Sequence, residues 1–166
     1  MNIIILLIMA FVLIYASIED YKTRLVLPAF VIIIFLCAAA LLCIKIFIQK
    51  ADIFYAFFDF FAGAVVGGGF LFIMALIGKL LLKKETLGGG DIKLMLAVGA
   101  ALGPQRAVIS LIFAFILACI FGLALILLKK ISLKSYMPFV PFICIGVLTA
   151  MFLPNKIIDI IMLYII

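Results

Sequence analysis

Two aspartates are the best candidates for chemistry, because the sequence offers few other reactive groups. The 166 residues include no histidine. The four cysteines lie within apolar segments and form no CxxC pair: Cys37, Cys43, Cys119 and Cys144. This composition excludes Ser-His-Asp and Cys-His catalysis and leaves no ligand set for zinc, so we predict no metal and no cofactor. Carboxylate chemistry remains, with Asp20 and Asp91 as the candidate pair.

The surroundings of the two aspartates suit acid–base work at a membrane surface. Asp20 lies in a polar stretch just after an apolar run. Asp91 directly follows three glycines: Gly88, Gly89 and Gly90. Two carboxyl groups at hydrogen-bonding distance share one proton, so the pair can activate water and protonate a carbonyl. We expect the glycines, which lack Cβ atoms, to take unusual backbone angles and to let a substrate backbone approach.

Structural roles are also compatible with these positions. Aspartate is a preferred helix N-cap, so Asp91 could cap the helix that follows the glycines. Asp20 could be a solvated loop acid beside Lys22 and Arg24. Glu85 could contact a substrate, or it could be an exposed loop acid whose ion pairs contribute little. Spacing alone does not decide between these interpretations.

The composition requires a membrane around these residues. Apolar residues make up 71% of the chain, and the mean hydropathy is +1.60, whereas soluble domains are about half apolar. The apolar runs are continuous rather than alternating, which argues against a β-barrel. We therefore predict an all-α, polytopic membrane helix bundle, built as a single domain over residues 1–166.

Six hydrophobic segments of unequal length are predicted. They cover residues 2–17, 27–48, 59–82, 92–102, 108–128 and 138–153, and the third follows an aromatic interfacial stretch at 54–58. The fourth is too short for a regular crossing, and a partial span requires protein or a water-filled cavity around its backbone. The apolar tail at 155–166 is predicted to lie at the membrane interface.

The charges give the predicted orientation. The net charge is +6, with thirteen basic and seven acidic residues. With the N-terminus outside and six crossings, nine basic residues fall on the cytoplasmic side and four on the outer side, as the positive-inside rule requires. Asp20 and Asp91 then share the cytoplasmic side. The basic excess fits cytoplasmic loops, and no nucleic-acid partner is predicted.

Three sequence elements occur in an order that resembles one known family. Residues 88–94, Gly-Gly-Gly-Asp-Ile-Lys-Leu, are similar to its GxGD-x-K-L signature, and Gly103-Pro104 follows. Asp20, with basic residues and Pro28 after it, is similar to its first aspartate segment. Residues 137–142, Met-Pro-Phe-Val-Pro-Phe, closely resemble its Pro-Phe-x-Pro-Phe element. The family is that of the type IV prepilin peptidases, which are GxGD intramembrane aspartyl proteases.

The resemblance implies an activity and a set of site residues. Asp20 and Asp91 would be the catalytic pair, and Lys93 matches the lysine of the motif. The substrates would be prepilin-like or preflagellin-like precursors, cut between a short basic leader and a hydrophobic helix at the cytoplasmic face of a prokaryotic inner membrane. Many members carry an N-terminal domain with paired cysteines and methylate the product. The sequence begins with a membrane helix, so N-methyltransferase activity is not expected.

Two further interpretations complete the sequence analysis. Gly67-Gly68-Gly69, with Gly63 and Ala64, is predicted to allow close helix packing. A non-enzymatic transporter or assembly subunit, which would use the acids for ion coupling, is the alternative function. An inverted repeat would favour a transporter, and the sequence shows none.

Overall fold

The computed structural model describes residues 2–82, 88–129 and 138–165. Eight α-helices and one π-helical segment account for nearly all of the described residues, and these contain no β-strand. The helices are α1 (Ile3–Thr23), α2 (Pro28–Phe47), α3 (Ile53–Ala64), α4 (Phe70–Leu82), α5 (Gly89–Leu102), α6 (Pro104–Leu127), α7 (Val140–Phe152) and α8 (Asn155–Ile165). The π segment, Val65–Gly69, joins α3 to α4. The predicted all-α membrane bundle is confirmed.

Several helices extend beyond the hydrophobic segments that predicted them. Helix α1 continues to Thr23, so the predicted end of the first segment at residue 17 is wrong, and Asp20 lies in the last turns of the helix. Helix α3 begins at Ile53, where the Asp52 carboxylate accepts the Phe54 N–H, so the aromatic stretch at 54–58 is helical. Hydropathy marks the apolar part of a helix, whereas caps mark its ends.

The described helices differ in their capacity to cross a bilayer. Four are long and apolar enough: α1, α2, the continuous Ile53–Leu81 unit and α6. Helices α7 and α8 meet at an angle of 114° and count together as a fifth candidate. Helix α5 has 14 residues, or about 21 Å, which is short of the hydrocarbon core. All six predicted segments are helical, and the placement of the N-terminus outside stays a prediction.

Helix α5 is shielded by the rest of the bundle. Nine of its 14 residues are buried, and it packs against α2, α3, the π segment and α6. Other helices thus cover the short segment, and its place as a partial span of the membrane stays a prediction.

Glycines bring α3 and the π segment against the backbone of α5. A Cβ on Gly63 would collide with the carbonyl oxygen of Gly99, and one on Gly67 would collide with that of Met95. A Cβ on Gly68 would lie 2.7 Å from Cβ of Leu96. The predicted close packing at these glycines is confirmed, except at Gly69, whose Cβ would make an ordinary contact at 3.7 Å. In lipid the hydrophobic effect does not hold helices together, so they associate through close packing. Small residues allow the two helix backbones to approach closely enough for this packing.

Polar residues gather at the end of the bundle that holds the N-terminus. Lys45 Nζ contacts Oδ2 of Asp59 at 2.5 Å, and both line a pocket with Leu6 and Arg106. The Arg106 guanidinium donates to the carbonyl oxygens of Ala150 and Met151 and to Asn155 Oδ1. This end therefore brings together the start of α1 and the α2–α3, α5–α6 and α7–α8 connections, and the count of six crossings stays a prediction.

Candidate active site

The last turns of α1 hold the first aspartate inside the protein. The Asp20 side chain is only 2% exposed, and its Oδ2 accepts a hydrogen bond from the backbone N–H of Val140 at 3.4 Å. Val140 is the first residue of α7, where helix N–H groups lack partners within the helix. The carboxylate satisfies one of these donors and faces the positive end of the helix dipole. The alternative of a solvated loop acid is therefore wrong.

The first turn of α5 holds the second aspartate. The N-cap of this helix is Gly88, so Asp91 is its third residue and the N-cap alternative is wrong. Asp91 is 3% exposed and lies against the Gly88 backbone. Within the described ranges, its Oδ2 is a buried oxygen that accepts no hydrogen bond from protein. Burying a polar atom without a partner is costly, and functional sites are where proteins retain such atoms.

The structure brings the two buried carboxyl groups together. They are near enough for the charge of Asp20 to act on Asp91. The connection between α1 and α2 contributes to this approach, because Val26 packs into the core directly beside Gly90. Two carboxylates in a common buried site repel each other when both are charged, so the pair favours holding one proton.

The three glycines before Asp91 differ in their surroundings. Gly88 has φ −69° and ψ 137°, and Gly89 and Gly90 are helical, so the expectation of unusual backbone angles is wrong. A Cβ on Gly90 would lie 2.7 Å from Cβ of Val26, whereas one on Gly89 would meet nothing within 4 Å. Gly90 thus serves internal packing, and Gly89 borders open space next to the aspartates.

The remaining predicted site residues lie outside the pair or outside the described residues. Lys93 is exposed, and it makes no ion pair within the described residues. This placement suits a cation that reaches the membrane interface. Glu85 lies in the undescribed stretch 83–87. The match of Lys93 to the motif lysine, as a residue that supports the site, and the contact of Glu85 with substrate stay predictions.

Sequence reasoning missed two residues that shape the site. Val140 supplies the N–H that Asp20 accepts, and Val26 packs against the glycine next to Asp91. The Pro-Phe-x-Pro-Phe element was the available signal for Val140, because Pro141 marks the start of α7. No sequence signal singled out Val26.

These features define a multi-pass helical membrane protein with a buried carboxylate pair at one end of its bundle. Residues 7–127 match the type IV leader peptidase family (Peptidase_A24). The match covers well over half of the sequence, and the chain belongs to this family. Both Asp20 and Asp91 fall within the matched region.

Individual relatives agree with the family match. The chain is 39% identical over 88 residues to the prepilin leader peptidase/N-methyltransferase of Aeromonas salmonicida (strain A449), covering 53% of this chain and 30% of the relative. A protein of the same name from Bacillus subtilis (strain 168) is 29% identical over 114 residues, covering 68% and 45%. The chain therefore matches less than half the length of these relatives. No solved structure matches it significantly.

Proposed function

We propose that this chain is a membrane aspartic endopeptidase that removes the leader from prepilin-like precursors. The observation that carries the proposal is the pair of buried aspartates, Asp20 in the last turns of α1 and Asp91 in the first turn of α5. Membership of the type IV leader peptidase family supports a leader as substrate. The core shared by α1 to α7 supports treating residues 1–166 as a single domain.

The chemistry requires only the two carboxyl groups and a water molecule. The ionised carboxylate removes a proton from water, whose oxygen bonds to the scissile carbonyl carbon. The protonated carboxyl donates its proton to the carbonyl oxygen. The tetrahedral intermediate then collapses: one hydroxyl returns a proton to the second carboxylate, the carbon–nitrogen bond breaks, and the proton gained from water passes to the leaving amine. The Asp20–Val140 hydrogen bond stabilises the ionised form of Asp20, because a donor favours a charged acceptor.

The membrane setting supports the substrate class and the place of cleavage. In the predicted orientation, the aspartate pair lies at the cytoplasmic end of the bundle in an inner membrane. A precursor with a basic leader and a hydrophobic helix would present its cleavage site at this depth. Surrounding lipid and the precursor are the proposed partners. Methylation is not part of the proposal, because carboxylate chemistry does not supply it.

Isosteric substitutions test the pair directly. Asp20→Asn and Asp91→Asn keep shape and hydrogen-bonding capacity but remove proton transfer. We expect each to reduce cleavage of a prepilin-like precursor in detergent or liposomes by about a thousandfold, within the usual range for acid–base groups. Asp159→Asn is the matched control, because Asp159 is exposed on α8, and it should cleave normally.

Two results would contradict the proposal in different ways. Cleavage that survives either substitution at the pair would rule out the two-aspartate mechanism. Failure of the unmodified protein on several prepilin-like precursors, with normal folding and insertion, would favour the non-enzymatic alternative. In that case proton flux through liposomes containing the protein would test whether the same two acids couple ions.

A further inference from the structure

An apolar groove runs between α4 and α6 on the membrane-facing side of the bundle. Val66, Phe70 and Met74 form one wall, and Leu111, Ile112 and Phe115 lie on the other. These residues recur at helical spacing, so each wall is one face of its helix. The groove has a volume of about 470 Å³, within the range of ligand-binding sites, and its exposed lining is wholly apolar.

The groove opens because α4 diverges from α6. The π segment approaches α6 closely, whereas no described residue of α4 comes within 8 Å of α6 between Cα atoms. The change of direction occurs where the helix is locally π, a known cause of bends. The gap therefore widens from the middle of the bundle toward the end that holds the aspartates.

The groove reaches the depth of the catalytic pair. Gly63 faces Gly99 and Gly67 faces Met95 across two antiparallel helices. A Cβ on Gly68 would lie 3.3 Å from the carbonyl oxygen of Ile92, the residue next to Asp91. Leu71 is completely buried toward the core, and its neighbour Phe70 lines the groove at that level.

Aromatic contacts connect the groove to the first aspartate. The rings of Phe70 and Phe115 lie 5.9 Å apart, and those of Phe115 and Phe139 lie 5.2 Å apart. Phe139 immediately precedes Val140, whose N–H binds Asp20. The wall of the groove is therefore continuous with the residues that hold the carboxylate.

We propose that the groove binds the hydrophobic helix of the precursor, which lies on the carboxyl side of the cleavage site. This inference rests on the proposed peptidase function and adds the surface that seats its substrate. In lipid, helices associate through packing rather than through the hydrophobic effect, so a helix with large side chains gains contacts in an open groove. The polypeptide preceding that helix then reaches the depth of Asp20 and Asp91.

Filling the groove tests the proposal. Ile112→Trp places a larger side chain on the α6 wall, whereas Leu36→Trp adds the same side chain to an exposed position on α2, which contacts neither α4 nor α6 among the described residues. We expect Ile112→Trp to lower kcat/KM for a full precursor about tenfold, mainly by raising KM, because it removes substrate binding. Leu36→Trp should leave both constants unchanged. Thermal unfolding of the two variants checks that their folds are intact.

Photocross-linking supplies an independent readout. In an Asp91→Asn background, a photoreactive residue at position 112 should label the hydrophobic segment of a bound prepilin-like precursor, and one at position 36 on α2 should not. The proposal is overturned if position 112 labels only lipid, or if Ile112→Trp cleaves with unchanged KM while the parent protein is active. Loss of cleavage by the parent protein itself would instead reject the proposed function.

Discussion

Asp20 and Val140 are 120 positions apart in the sequence, yet the carboxylate of one accepts the backbone N–H of the other. This contact joins the end of α1 to the start of α7. The same side chain thus holds two helices together and belongs to the candidate catalytic pair. Its structural and chemical roles can be separated by choosing substitutions that remove one or both.

The two roles of Asp20 predict different behaviour for two inactive variants. Asp20→Asn keeps an oxygen that accepts the Val140 N–H, whereas Asp20→Ala leaves this buried donor unsatisfied. We expect Asp20→Ala to be less stable than Asp20→Asn by about 1–3 kcal/mol, the usual cost of such a group. Thermal unfolding in detergent measures the difference. Equal stability of the two variants would show that the hydrogen bond does not contribute to the stability of the fold.

A shared proton predicts a bell-shaped dependence of cleavage on pH. At low pH both carboxyl groups are protonated, and no base is left to activate water. At high pH both are ionised, and no acid is left to protonate the carbonyl oxygen. Values of kcat/KM measured across the pH range should therefore fall on both sides of an optimum. A rate that only rises with pH would indicate that a single base is sufficient.

Adjacent glycines should respond differently to a single methyl group. Gly90→Ala places Cβ against the branched Cβ of Val26, so the loop after α1 must move, whereas Gly89→Ala points into open space. We expect a lower melting temperature for Gly90→Ala. That of Gly89→Ala should be unchanged or higher, since alanine favours helix by about 0.5–1 kcal/mol. Equal losses in both variants would contradict the packing described for Gly90.

The contact between α3 and α5 predicts a second pair of contrasting variants. A methyl group at Gly63 would meet the backbone of Gly99, which cannot move without shifting α5. We expect Gly63→Ala to destabilise the protein by about 1–3 kcal/mol, the range for overpacking. Gly69→Ala, which makes only an ordinary contact, is the control for glycine replacement in the same helix. Unfolding of both variants in the same detergent gives the comparison.

Much of the fold could be predicted because a bilayer constrains helices strongly. Continuous apolar runs located every helix from α1 to α7, and the shortness of 92–102 predicted that protein must surround α5. Counting passages placed Asp20 and Asp91 at one end of the bundle. The ends of α1 and α3 were missed, because polar and interfacial residues continue both helices beyond their apolar runs.

The details of the site depended on contacts that leave no local pattern. The Asp20–Val140 hydrogen bond joins distant segments, and the position of Val26 beside Gly90 depends on how two loops pack. The motif indicated that the glycines mattered, but the reason inferred from it was backbone freedom rather than packing. The groove between α4 and α6 arises from the π segment, and hydropathy contains no sign of it.

The small length of α5 affects how the chain is inserted during synthesis. This helix has only 14 residues, with Asp91 and Lys93 near its start, so we expect it to insert poorly into the bilayer on its own. Helix α6 follows after Gly103 alone and is long and apolar, so it can carry α5 into the bilayer as a helical hairpin. The aspartate on α5 would then reach its final depth only when the translated chain already includes α6.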